Sequence, residues 1–235
     1  MGFDLPVTYR LPALAALLCL AVSGCAATTP GTAMPAERAP LTTADALPTL
    51  LLSAGDVGTA LASDDVVVTS DVAKAWNDSA RLADVDCLAI AGAAQQSVYA
   101  DSGSTAVHGQ VLRDPPTAPA WSHFAVQAVV LFPTAQAAAE FFSTSQQRWV
   151  GCSDRELSYP QPMGPEQVWS VGQTSTDHDV LAVSRVQESP ERWACQRALT
   201  VHSNVAVDVE ACSLDGPTSA AAAIAGQIAQ RLPAA

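Results

Sequence analysis

The chain has 235 residues, 49% hydrophobic, 14% charged and 6% aromatic, and its Lys+Arg 11 against Asp+Glu 23 leave a formal net charge of −12. That size suits one folded domain with short extensions, and the apolar share excludes a disordered polymer. The negative charge excludes nucleic acid, whose phosphates require a basic footprint.

In chain order, Leu11 to Val22 is an apolar run preceded by Arg10. It is too short for a permanent membrane span and has the length of a signal-peptide core. It ends in Val22-Ser23-Gly24-Cys25, which resembles the bacterial lipoprotein box, where small residues precede a cysteine that takes a diacylglyceryl group before cleavage. Residues 1–24 are therefore expected to be a lipoprotein signal peptide and Cys25 the lipidated residue. Two or three acyl chains anchor stably at about 0.8 kcal/mol per buried CH2. Residues 25–41 are rich in Pro, Thr and Ala without a sustained period, as in a tether. Residues 42–235 are expected to be the folded domain, on the extracytoplasmic face of the cell membrane.

Thr42 or Thr43 begins a helix carrying Leu47, Leu50 and Leu51, and the valine run within Asp64 to Ser70 reads as a strand. A helix is expected from about Asp84 to Tyr99. Two strands, Ser104 to Arg113 and Ser122 to Phe132, flank the turn at 114–119. Thr134 caps a helix whose Ala138, Phe141, Phe142, Ser145 and Trp149 share one face. Strand patterns follow at Gln167 to Val171 and Val180 to Val186, and Pro217 opens a last helix with Ala221, Ile224, Ile228 and Leu232 on one side. Mostly neighbouring strands with interspersed helices predict an α/β (α+β) fold, a largely antiparallel sheet flanked by helices.

Of six cysteines, Cys19 leaves with the signal peptide and Cys25 takes lipid. The four that remain suggest two disulfides in an exported chain. Two strand-like stretches, Trp193 to Val201 and Val205 to Cys212, meet at a turn at Ser203-Asn204. A two-residue turn makes paired positions sum to 407, so Cys195 faces Cys212 in a non-hydrogen-bonded site with Cα atoms about 4.5 Å apart. This selects Cys195–Cys212 and, by elimination, Cys87–Cys152. A four-cysteine zinc site competes, but no CxxC spacing is present, and neither a metal nor a cofactor is expected.

The same register sets Arg197 opposite Glu210 and Leu199 opposite Asp208, on one side with the disulfide and Trp193. Ala198, Thr200, Val205, Val207, Val209 and Ala211 form the other, core side. The first side reads as a cleft wall or a solvated face. Arg197 is then either in a cross-strand ion pair with Glu210 or a bidentate anchor for a carboxylate or phosphate.

The succession of Tyr99, the 127–133 segment from Gln127, Trp149-Val150-Gly151-Cys152, Trp193-Ala194-Cys195-Gln196-Arg197, Asn204-Val205 and Ala211-Cys212 resembles the PknH-like extracellular sensor domain family of actinobacteria. The resemblance spans about residues 45 to 232. It implies an α/β/α sandwich, disulfides between first and second and between third and fourth cysteines, and a deep cleft for an unidentified ligand. It adds Tyr99, Gln127, Trp149 and Asn204 as cleft or framework candidates beside Arg197, Trp193 and Glu210. The helix stripe favours a core role for Trp149, and turn chemistry favours one for Asn204.

No Gly-rich loop, VAIK-like lysine, HRD or DFG segment occurs, nor a GxSxG, HExxH, SxxK or P-loop motif. Asp177-His178-Asp179 reads as a polar loop, since three adjacent strand residues cannot all face one ion. His108, His123 and His202 have no spacing that recommends them. The expectation is a non-enzymatic, lipid-anchored envelope protein holding a small molecule or cell-wall fragment. An envelope protein-interaction module is the alternative, and an envelope hydrolase comes third.

Overall fold

The computed structural model describes residues 40–114, 121–190, 192–214 and 219–233. The leader, Cys25, most of the tether and Pro217 lie outside the described residues.

Val129 and Leu131, Val205, Val207, Val209 and Ala211 alternate toward one helix layer, and the sheet that results is antiparallel at every strand pair. Its strands are β1 (Val67–Val72), β2 (Ala106–Arg113), β3 (His123–Leu131), β4 (Glu156–Tyr159), β5 (Gln167–Val171), β6 (Ser175–Asp177), β7 (Val180–Gln187), β8 (Ala194–His202) and β9 (Val205–Ser213). They lie in the order β1-β2-β3-β9-β8-β7-β5-β4, with β6 also on β7.

One face packs on α1 (Leu47–Leu50), α2 (Ala54–Leu61) and α6 (Ala220–Ala229). That core joins Leu47, Leu50, Val57 and Leu61 to Val129, Val205, Val207, Val209, Ile224 and Ile228. The opposite face packs on α3 (Leu88–Ala91), α4 (Gln96–Tyr99) and α5 (Ala135–Gly151). Its core joins Leu88, Ile90, Phe141 and Trp149 to Leu157, Leu181, Leu199 and Ala206. Two helix layers around one sheet make an α/β/α sandwich.

Local signals explain most element ends. Thr134 Oγ1 accepts from the Ala137 N–H at 3.1 Å, the expected N-cap of α5. Ser53 and Asp56 make a reciprocal capping box that starts α2. The hairpin register is the one that sums to 407, and the disulfides are Cys87–Cys152 and Cys195–Cys212, the latter with Cα atoms 4.0 Å apart. At the turn, Ser203 takes the positive φ of 51°. The Asn204 side chain instead bonds Thr42 N and O and Phe132 O, tying the domain's first residues to the end of β3.

The single helix expected from Asp84 to Tyr99 is broken. A 3-10 turn at Val85–Cys87 leads into α3, and residues 92–95, with Ala94 at φ 46°, separate it from α4. The backbone groups of this segment are taken by side chains from the sheet: Ala89 O and Ile90 O accept from arginines, and Ala94 N–H donates to an aspartate. A continuous helix would keep those groups for itself.

Candidate functional site

β9 reads VAVDVEACS, an apolar/polar alternation that normally marks a strand with one wet face. Every residue of it is buried. Asp208 and Glu210 survive there because the neighbouring strands supply a guanidinium to each, and buried charges persist only when paired and hydrogen-bonded.

The first pair is Arg197 with Asp208, Nη2 to Oδ1 2.6 Å, both under 5% exposed. Arg197 also donates to Ala89 O at 3.0 Å and to Val209 O, and its Cζ lies 5.3 Å from the Trp149 ring centroid. Asp208 Oδ2 accepts from the Tyr99 hydroxyl at 2.9 Å and from Ala94 N–H at 2.8 Å. Burial first, then the Asp208 charge and its hydrogen bond, hold the Tyr99 phenol well above its ordinary pKa, against a smaller pull from Arg197. These groups clamp the α3–α4 connection onto the sheet.

The expectation of a cross-strand Arg197–Glu210 pair is therefore corrected. The two residues are direct partners in the ladder, but Arg197 reaches diagonally to Asp208, and both are buried, so the face is neither solvated nor free to present Arg197 to an anion.

The second pair is Arg185 with Glu210, both 7% exposed in their side chains. Arg185 on β7 pairs with Cys195 on β8, and Arg197 on β8 pairs with Glu210 on β9, so all share the face of the first pair. Arg185 Nη1 donates to Ile90 O at 2.8 Å, and its Cζ lies 5.1 Å from the Trp169 ring. Trp169 faces Gln187 directly across β5 and β7, and the Tyr159 ring centroid lies 6.2 Å from that of Trp169.

Here the hydrogen-bond inventory does not close. Arg185 Nε, Gln187 Oε1 and the Tyr159 hydroxyl are buried with no partner, whereas buried polar atoms normally have one. Burial raises the Tyr159 pKa, with Arg185 opposing and Glu210 adding to it, and Arg81 and Asp78 act on it from residues 77–86. That segment is fastened by Asp78 to Gln95 (Asp78 N–H to Oε1 2.8 Å, Nε2 to Asp78 Oδ2 2.9 Å), by Ala83 N–H to Ser158 O, and by Arg155 to Asp84 at 2.7 Å. Before it, Trp76 lies on Gly109, where a Cβ would stand 2.5 Å from the indole, so only glycine leaves room.

Of the sequence candidates, Arg197, Tyr99 and Trp149 come together in the first pair and Glu210 in the second. Trp193 is half-buried against Trp121, ring centroids 4.8 Å apart. Gln127 lies in the core of the opposite face, where it exchanges hydrogen bonds with Leu52 N and O and with Gln110. Sequence reasoning missed Asp208 as Arg197's partner, and also Arg185, Gln187, Trp169 and Tyr159. The available signal was β7 itself, where Arg185 and Gln187 continue the face of Leu181 and Val183.

A serine, a histidine and an aspartate meet at the sheet end, but Ser122 Oγ donates straight to Asp114 Oδ2 at 2.5 Å, and both contact His123 Nδ1, at 3.2 and 3.1 Å. A catalytic relay needs nucleophile and acid on opposite ring nitrogens. Asp177 and His178 pair on the surface. Among the described residues, the sole potential metal cluster is Cys195, Glu210 and Cys212, whose sulfurs are bonded to each other.

Residues 42–231 match the family described as the PknH-like extracellular domain. The chain belongs to that family. It is 30% identical over 186 residues to the serine/threonine-protein kinase PknH of Mycobacterium bovis, covering 79% of this chain and 30% of the relative. Against PknH of Mycobacterium tuberculosis (strain H37Rv) it is 30% identical over 166 residues, 71% of this chain and 26% of that protein. The chain thus matches less than a third of the length of these kinases. The crystal structure of the extracellular domain of PknH from Mycobacterium tuberculosis superposes with a TM-score of 0.76 at 29% identity, covering 82% of this chain and 97% of that one. The match extends the sandwich, with its antiparallel sheet, to a solved member of the family. Among the described residues no helix is long and apolar enough to cross a membrane.

Proposed function

We propose that this protein is an envelope lipoprotein whose PknH-like domain is a non-enzymatic, sensor-like binding module. Cys25 carries the lipid, residues 25–41 form the tether, and residues 42–235 hold a small molecule or cell-wall fragment on the sheet face under α3 to α5. The observation that carries the binding reading is the clustering of buried, unpartnered polar atoms at Arg185, Gln187 and Tyr159; the Arg197–Asp208 pair leaves only Arg197 Nε unmatched. A ligand is the natural supplier of the missing partners.

Native mass spectrometry of the full-length protein, extracted from its own envelope in mild detergent, tests this. The expected result is a defined added mass that denaturation removes, and a clean protein mass contradicts it. For the anchor, Cys25→Ala is expected to abolish lipid labelling and release the protein from the membrane fraction; retained labelling contradicts it.

A second reading, a partner protein without a small ligand, draws on the edge strand β1, where Val67 and Val68 are 45% and 41% exposed. An open apolar edge is a template for strand addition. In-cell crosslinking from position 67 to another envelope protein, together with a clean native mass, would favour it.

A further inference from the structure

The chemistry that fits the open end of the sheet is narrower than "small molecule". Three facts constrain it. Both arginines on the face are already matched by a carboxylate, Arg197 by Asp208 and Arg185 by Glu210, so the face offers no unbalanced positive charge, and the whole chain stands at −12. An anion entering there would meet two buried carboxylates and no spare guanidinium charge. Next, the unpartnered atoms are of both kinds: Arg185 Nε is a donor, Gln187 Oε1 an acceptor, and the Tyr159 hydroxyl either. They belong to side chains ranged around one half-exposed indole, Trp169, which Arg185 and Tyr159 both approach and Gln187 faces across the ladder.

We infer that Arg185, Gln187 and Tyr159, with Trp169 as the apolar wall, form a binding site for an uncharged ring bearing a secondary amide or neighbouring hydroxyls, the chemistry of an N-acetylated saccharide. An amide carries a donor and an acceptor on adjacent atoms, so its N–H satisfies Gln187 Oε1 and its carbonyl accepts from Arg185 Nε or the Tyr159 hydroxyl. The apolar face of a saccharide ring lies on an indole as it does on other aromatic surfaces. Because the three polar atoms are buried, entry requires displacement of residues 77–86, a surface segment held down by the buried Leu82, whose Asp78 and Arg81 act on the Tyr159 phenol. Between its fastened ends it is held to the sheet edge by the Ala83 N–H to Ser158 O bond. This inference rests on the binding-module reading above and names that module's site and ligand class.

The test uses the full chain in detergent, with tryptophan fluorescence as readout and N,N′-diacetylchitobiose as the neutral probe, beside inorganic phosphate as the anionic one. The site predicts saturable binding of the disaccharide and none of phosphate. It also predicts that Gln187→Met and Tyr159→Phe each weaken the disaccharide at least tenfold. Both variants remove an unpartnered polar atom, so they stay folded, as unchanged unfolding midpoints are expected to show. Absence of disaccharide binding to the parent overturns the ligand class. Binding unchanged in both variants overturns the site, and saturable binding of phosphate to the parent overturns the neutral ligand class. A native-mass adduct that survives in Gln187→Met and Tyr159→Phe contradicts this site while leaving the binding-module reading standing, whereas a clean parent mass contradicts that reading itself.

Discussion

Two arginine–carboxylate pairs lie on one face of one sheet, and they differ in what surrounds them. Around Arg197 and Asp208 the aspartate holds three donors, the guanidinium reaches two carbonyls, and Trp149 closes the top. Each guanidinium leaves its Nε unmatched, but around Arg185 and Glu210 an amide oxygen and a phenol go unmatched as well. The difference separates structure from recognition. A network with a single unmatched N–H fixes the α3–α4 connection, and one with three unmatched atoms on neighbouring side chains leaves room for a bound partner.

The comparison is broken or sharpened first by removing the carboxylates. Asp208→Ala leaves Arg197 buried and unpaired and strips Tyr99 and Ala94 of their acceptor, so it is expected to cost about 3–5 kcal/mol in urea unfolding. Glu210→Ala is expected to cost less, since it deprives one donor where Asp208 serves three and each such bond to a charged group contributes roughly 1.5–3 kcal/mol. Equal losses would erase the distinction.

The Cys195→Ala/Cys212→Ala double variant follows, at about 3 kcal/mol from the loop it opens. Because the bond lies between Arg185 and Glu210 in the ladder, it is also expected to raise protease sensitivity there before it does so around Arg197.

Smaller effects come with pH. The raised Tyr99 pKa means that its contribution is fully present below about pH 10 and is lost as pH rises through the folded-state value. In Tyr99→Phe that alkaline decline is expected to flatten. At the acid end, burial pulls the Asp114 pKa up, but hydrogen bonds from Ser122 and His123 outweigh it and bring it to about 2. Its contribution is present above about pH 4 and is lost as pH falls toward 2, so Asp114→Asn is expected to flatten stability across that interval.

How much of this was legible in the sequence follows from the physics of each part. The α5 cap and stripe, the hairpin register and the Cys195–Cys212 disulfide could be read from local spacing, because periodicity and turn length act over a few residues, and Cys87–Cys152 followed by elimination. The break between α3 and α4 could not, since Asp208, Arg185 and Arg197 capture its backbone from 95 to 114 positions away. The alternation of β9 pointed to a wet face because pairing from β7 and β8 is invisible in β9 alone. Arg197 was found as a residue, as half of an ion pair or as an anchor, but its carboxylate is Asp208 and not the facing Glu210, and Tyr159, Trp169 and Gln187 were missed because their only distinction is the partner they lack.

The most direct measurement compares two single-oxygen deletions by equilibrium urea unfolding. Tyr99→Phe removes a hydroxyl bonded to Asp208 and is expected to lose about 1.5–3 kcal/mol, whereas Tyr159→Phe removes an unpartnered one and is expected to leave stability unchanged or raised. A loss in Tyr159→Phe as large as that in Tyr99→Phe would mean that both networks are structural, and the account of the second as a binding site would fall.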